Sequence, residues 1–143
     1  MAVYELWKDS YLLSTDKSRL DHEVIAGFLS RAYWSNHRSR AVIERSIEHS
    51  LCFGIYASDQ QIGFARVVSD FSIFAYLCDV FIDEAYRGIG LGNWLLAGIM
   101  GHPGLQGLER WTLATRDAHG LYRKCGWTEL RSPHIWMEIH APR

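Results

Sequence analysis

The stretch DVFIDEAYRGIGLGNWLL, residues 79–96, decides how the chain is read. It passes from an apolar segment through a polar turn and three alternate glycines into a second apolar segment. A strand that feeds straight into a helix leaves the first backbone N–H groups of that helix open at the sheet's end. Together with the helix dipole they attract an anion. Gly88, Gly90 and Gly92 remove side chains at alternate positions around the turn, and Arg87 adds a fixed positive charge suited to phosphate oxygens. A pyrophosphate fits this description. A tight strand-to-helix connection with no ligand uses the same glycines, so the local sequence leaves both readings open. Spacing argues against two other phosphate ligands. A P-loop carries Lys and a hydroxyl after its last glycine, where this chain has Asn93 and Trp94. A dinucleotide fingerprint needs a glycine at Asn93 and opens a βαβ unit near the start of its domain.

Upstream, RLDHEVIAGFLSRAYW (residues 19–34) places Leu20, Val24, Ile25, Phe28, Leu29 and Ala32 on one helical face, with Ser18 or Asp21 to cap it. A short strand at YLLS (residues 11–14) precedes it. The polar break SNHRS leads to a second helix in RAVIERSIEHS, residues 40–50. LCFGIYA and QIGFARVVS, joined by a polar turn, read as a hairpin, and SIFAYLCDVFID (residues 72–83) is apolar enough to be the central strand. Downstream of the glycines the pattern predicts a helix closed near Gly101–Gly104, a strand in LERWTLATR and a short helix in HGLYRKCG stopped by Gly126. A final strand is expected in IWMEIH, residues 135–140. The expected architecture is one α+β or mixed α/β domain over residues 1–143, a mostly antiparallel sheet with helices on its faces.

Composition narrows the partners. With 15 Lys and Arg against 16 Asp and Glu, the chain gives no reason to expect nucleic acid or an anionic membrane. Its apolar runs fall short of a bilayer span and MAVYELWKDS lacks the features of a signal peptide, so a cytoplasmic protein is expected. Cys52, Cys78 and Cys125 form no CxxC pair, their odd number argues against a disulfide framework, and no Cys/His spacing suggests a metal. Six Trp in a 48% hydrophobic chain suggest aromatic surface that a homodimer would cover, the alternative being a well-filled monomeric core.

RGIGLG, residues 87–92, resembles the Q/R-x-x-G-x-G/A signature of the GCN5-related N-acetyltransferases (GNAT), and TRDAHGLYRKCGW, residues 115–127, resembles the family's later segment ending in L-Y-x-x-x-G-F/W. The order of elements is similar across nearly the whole chain. The resemblance implies the GNAT fold and acetyl-CoA as co-substrate. Its pyrophosphate would lie on the backbone of Arg87, Gly88, Ile89, Gly90, Leu91 and Gly92, and its pantetheine arm along Val80, Phe81 and Ile82. In that scheme the Val80 N–H polarises the thioester carbonyl, the Ile82 backbone bonds a pantetheine amide, and Tyr122 protonates the leaving thiolate. The implied reaction is direct attack by a primary amine of a small molecule or peptide in a ternary complex, without a Cys125 acyl-enzyme. The alternative is an acyl-CoA-binding sensor without turnover. Where some relatives carry a glutamate base this chain has Tyr76. Asp79 is the nearest carboxylate, and strand alternation puts it on the face opposite Tyr76, Cys78 and Val80. The base therefore stays unassigned between Asp79 and a water relay. Trp34, His37, Arg38, Asp70 and His134 are the candidates for the acceptor side.

Overall fold

A computed structural model describes residues 1–142. The chain begins with a hairpin, β1 (Glu5–Lys8) and β2 (Tyr11–Ser14), followed by helices α1 (His22–Leu29) and α2 (Arg40–Glu48). Strands β3 (Leu51–Ala57), β4 (Gln60–Ser69) and β5 (Phe74–Ile82) form a meander, and α3 (Leu91–Met100), β6 (Arg110–Leu113) and α4 (His119–Lys124) complete the fold. The sheet runs β1-β2-β3-β4-β5-β6, antiparallel throughout except for the parallel pair β5 and β6.

Both faces of this sheet are covered, which is why β3 to β5 read as nearly continuous apolar runs. On one face Phe53, Ile55, Ile62 and Leu77 meet Leu91, Leu95, Leu96 and Ile99 of α3. On the other, Phe64 and Phe81 meet Ile25 and Leu29 of α1 and Ile43 and Ile47 of α2. Asp21 is the cap of α1, its carboxylate accepting the N–H groups of Glu23 and Val24, while Ser18 belongs to a separate short turn. The helix ends at Leu29, not at Trp34. Hydroxyls take over its last carbonyls, Ser30 Oγ donating to Gly27 at 2.8 Å and Ser35 Oγ to Leu29 at 2.7 Å, which turns residues 30–37 into an irregular loop.

Three sequence expectations are corrected. The hairpin partner β1 is an addition, because ELWK is mostly exposed and carries little apolar signal. The strand β5 is not central but next to the edge, its apolar character coming from helices on both faces. IWMEIH forms no strand: a short turn at Pro133–Ile135 leads into an irregular segment in which Met137 is 96% and Ile139 103% exposed. Alternating apolar residues make a segment fit for pairing without supplying a partner, and within this chain none of the described strands pairs with it. Trp136 instead lies 4.9 Å from the Arg110 guanidinium.

Candidate active site

The glycine turn follows from local geometry. Asp83 accepts the Ala85 N–H at 2.9 Å and folds Glu84–Tyr86 into a single turn. Gly88 (φ 80°) and Gly90 (φ 86°) then adopt left-handed conformations, which side chains other than glycine's resist. Gly90 stands at the start of α3 with no side chain capping it, so the first N–H groups of the helix point outward without an internal acceptor from a side chain. A Cβ on Gly88 or Gly92 would meet nothing within 4 Å, and one on Gly90 would meet only Lys8 Nζ, at 3.4 Å. The three glycines thus border an open cradle of N–H donors, with space for phosphate oxygens. Arg87 Nε donates to the Ile82 carbonyl at 3.0 Å, which places its guanidinium beside the end of β5. Lys8, brought in by β1, adds an ammonium that sequence reasoning missed; no local pattern announces it.

The strand before the turn has an open edge. β5 and β6 pair only from Phe74–Arg110 to Leu77–Leu113, where β6 ends. β5 continues from Cys78 to Ile82 with no strand of the described residues beside it on that side. Val80 and Ile82 in this stretch pack toward α3, whereas Phe81 turns to the other face and stacks on Phe28, ring centroids 4.0 Å apart. The edge is long enough to offer backbone partners to an extended ligand arm.

Within this stretch the register against β4 shifts. Pairing passes from Phe64–Phe81 to Arg66–Cys78, leaving Asp79 and Val80 opposite Ala65 alone. This is a β-bulge, and Asp79 is held at φ 54°. The extra residue cancels the alternation, so Asp79 turns toward Arg66 on the Cys78 side and not away from it, correcting the sequence expectation. Its carboxylate accepts Arg66 Nε at 2.9 Å, Trp34 Nε1 at 2.9 Å and Arg38 Nη1 at 3.0 and 3.2 Å. Burial alone would push this carboxyl up; the Arg66 charge and hydrogen bond, with Arg38 and Trp34, outweigh it and hold the group below the ordinary carboxylate value. A carboxylate so engaged makes a poor proton acceptor. Tyr76 is exposed at 37%, and partial desolvation with the nearby Cys78 and Asp79 pushes its phenol up.

Tyr122 lies on α4, between the sheet and the Gly126 turn. Trp127 N–H donates to the Tyr122 carbonyl at 3.1 Å, and the Trp127 ring sits 6.0 Å from that of Tyr122 and 6.0 Å from that of Trp111. A cavity of about 230 Å³ opens here, walled by Trp111, Leu113, Thr115, Tyr122 and Trp127. Burial, Cys125 and Tyr33 raise the Tyr122 phenol, which keeps it a proton carrier at neutral pH. Burial pushes the Cys78 thiol up to about 12 and the Cys52 thiol to about 11, so neither is a ready nucleophile. Cys125 is exposed. Of the acceptor-side candidates, Trp34 and Arg38 meet at Asp79, and His37 lies on the same loop. Asp70 is elsewhere, its carboxylate accepting the N–H groups of Ser72, Ile73 and Phe74 where β5 begins. His134 is exposed on the turn at Pro133–Ile135. Arg66, Tyr33 and Arg116 belong to this region but were not singled out from the sequence: each reaches it through a contact distant along the chain. Among the described residues, no cluster of His, Cys, Asp and Glu could hold a metal ion, and no helix is long and apolar enough to cross a membrane.

The acetyltransferase (GNAT) domain model matches residues 48–129, which contain the meander, the glycine turn, β6 and α4. The chain belongs to the GNAT family. A crystal structure of a candidate GNAT acetyltransferase from Xanthomonas campestris pv. campestris superposes with a TM-score of 0.90 at 45% identity, covering 92% of this chain and 94% of that one. An uncharacterised ycf52-like N-acetyltransferase of Prochlorococcus marinus is 32% identical over 115 residues, which cover 76% of this chain and 63% of that protein, under two thirds of its length. A GNAT-family acetyltransferase of Elizabethkingia anophelis, crystallised with acetyl-CoA bound, shares the fold at 14% identity and a TM-score of 0.63, covering 82% of this chain and 76% of that one.

Proposed function

We propose that the chain, acting in the cytoplasm as one domain, is an N-acetyltransferase that moves the acetyl group of acetyl-CoA to a primary amine by direct attack. The observation that carries this reading is the open β5 edge, Cys78 to Ile82, which leads directly into the glycine cradle at the start of α3. A long phosphorylated arm fits this layout: its pyrophosphate on the N–H groups of residues 87–92, with Arg87 and Lys8 beside it, and its amides along Val80, Phe81 and Ile82. The amine nitrogen attacks the thioester carbon, charge builds on the carbonyl oxygen against the Val80 N–H, and the C–S bond breaks as Tyr122 gives its proton to sulfur. The proton lost by the amine passes to water, because Asp79 is fully engaged and Tyr76 stands where a glutamate would serve.

That same lack of a free carboxylate favours a second reading, a sensor that binds acyl-CoA without turnover. A broad panel of amines assayed for CoA release separates the two: acetyl-CoA binding with no release from any amine supports the sensor. The reading includes a homodimer. Among the described residues no strand pairs with the outer edge of β6, and the apolar segment 135–140 is exposed, so a second copy pairing this segment against that edge would cover both. Sedimentation giving only the 16.5 kDa species at micromolar concentration removes the dimer.

A further inference from the structure

The wall that faces the α1–α2 loop carries more positive charge than it neutralises. Arg38 and Arg66 share one carboxylate, Asp79, whose side chain is 1% exposed and whose two oxygens are occupied by both arginines and Trp34. Arg66 is nearly buried at 12%, with Nη1 donating to Ser50 at 3.0 Å, whereas the Arg38 side chain is 27% exposed. Arg38 uses Nη1 alone on Asp79; its Nε and Nη2 make no hydrogen bond among the described residues. A third guanidinium, Arg116, lies 3.7 Å from the Tyr33 ring centroid, and Tyr33 in turn stands edge-on to Trp34 at 5.1 Å. Among the described residues no carboxylate other than Asp79 pairs with any of these three. The wall therefore presents three cations to one anion, half-exposed aromatic rings at Tyr33, Trp34 and Tyr76, and a guanidinium already fixed in place with donors to spare.

We propose that the acceptor is an α-amino acid, or a short peptide whose amine lies close to a free carboxylate, and that Arg38 binds that carboxylate. The inference rests on the acetyl-transfer reading above. Asp79 anchors Arg38 next to Val80, one residue from the N–H assigned to the thioester, so a carboxylate on Arg38 sets an amine a few bonds away beside the acetyl carbon. An anchored guanidinium loses little freedom on binding and offers carboxylate a planar set of donors. Polyamines, aminoglycosides and lysine side chains bring further positive charge to a wall whose paired carboxylate, Asp79, is already taken by Arg38, Arg66 and Trp34. The surplus of positive charge also favours the neutral form of an incoming amine, easing the need for a carboxylate base.

The test compares the wild type with Arg38→Gln and Arg38→Lys in three measurements. Calorimetry with acetyl-CoA is expected to give the same affinity for all three proteins, and its failure in the wild type counts against the transfer reading, not against Arg38. CoA release is then followed with the common α-amino acids, the carboxamide of each, and spermidine. The expected result is a kcat/KM at least 10-fold higher for one or more acids than for the matching amides. Arg38→Gln should abolish this preference through KM, and Arg38→Lys should restore it in part. Equal use of acid and amide, a preference for spermidine, or a preference unchanged in Arg38→Gln overturns the proposal. If acetyl-CoA binds and no amine is acetylated, tryptophan fluorescence titrated with the same amino acids and amides decides. Acid-selective quenching lost in Arg38→Gln supports the carboxylate site, and its absence rejects it. Thermal melts confirm that both variants are folded, Asp79 keeping Arg66 and Trp34 in each.

Discussion

Replacing Gly90 by Ala separates a glycine turn that binds phosphate from one that only shapes the backbone. Gly90 sits at φ 86° and ψ 6°, where an L side chain costs roughly 1–2 kcal/mol. For a chain of this length that corresponds to a fall in Tm of about 3–10 °C, using roughly 3–5 °C per kcal/mol. The new methyl would project into space bounded only by Lys8 Nζ, 3.4 Å away, so nothing within the protein enlarges this cost. If a pyrophosphate occupies that space, the methyl holds it off the N–H groups and affinity falls by at least about 10-fold, or ~1.4 kcal/mol. Gly107→Ala, in the loop before β6, is the control: it also sits at a positive φ, 75°, with nothing within 4 Å of its Cβ, so it should lose a similar ~1–2 kcal/mol without touching the cradle. Melts without ligand and with acetyl-CoA at about 100 times the wild-type Kd read both effects, the ligand adding ~2.7 kcal/mol to a normal binder. The wild type and Gly107→Ala should show that full increment, and Gly90→Ala at most about half of it. A Gly90→Ala protein that loses stability as calculated yet keeps the whole increment would refute the assignment of this turn to phosphate.

Three further outcomes are expected. Asp79→Asn should cost about 3–5 kcal/mol in a denaturant titration, because it leaves Arg66 buried beside a neutral group. The folded-state pKa of Asp79 is depressed, so its contribution is complete above about pH 4, the unfolded-chain value, and is lost as pH falls through the folded pKa; an acid titration in which wild type and Asp79→Asn do not converge contradicts this. Tyr122→Phe keeps the packing against Trp127 and should lower turnover by roughly 10²-fold while leaving acetyl-CoA affinity unchanged; unchanged turnover assigns the proton to water. Iodoacetamide at neutral pH should label exposed Cys125 and spare Cys52 and Cys78, whose raised pKa values and burial protect them, with mass spectrometry of the digested protein as the readout.

The strand, the glycine turn and α3 were legible because their signals are local: an apolar run, glycines two residues apart and an apolar helix follow one another within eighteen residues. The caps at Asp21 and Gly126 were legible for the same reason, as was the β3–β4 hairpin. What escaped depends on where distant segments meet. Lys8 reaches Gly90 only because β1 pairs with β2 and lies beside α3. The face taken by Asp79 could not follow from alternation, since the register is fixed across two strands, where Ala65 opposes two residues. Segment 135–140 carries a good strand pattern but pairs with none of the described strands, and periodicity reports the first property alone.

The bulge joins these long-range features into one device. A left-handed aspartate in a strand and a buried ion cluster both cost free energy, the first on the order of 1–3 kcal/mol, and apolar residues would fill the same volume more cheaply. Their combination makes sense through what Asp79 connects: Arg66 from β4, Trp34 and Arg38 from the α1–α2 loop, and the backbone at Val80 on the open edge of β5. Because one carboxylate holds both the loop and the bulge, the loop cannot shift without disturbing the N–H assigned to the thioester. On the proposed reading, the absence of a carboxylate base and the locked aspartate are two sides of one choice: a carboxylate committed to alignment is withdrawn from proton transfer. A chain built this way would, on the same transfer reading, depend on acceptors whose amines reach it uncharged, and the arginine-rich wall would favour that form.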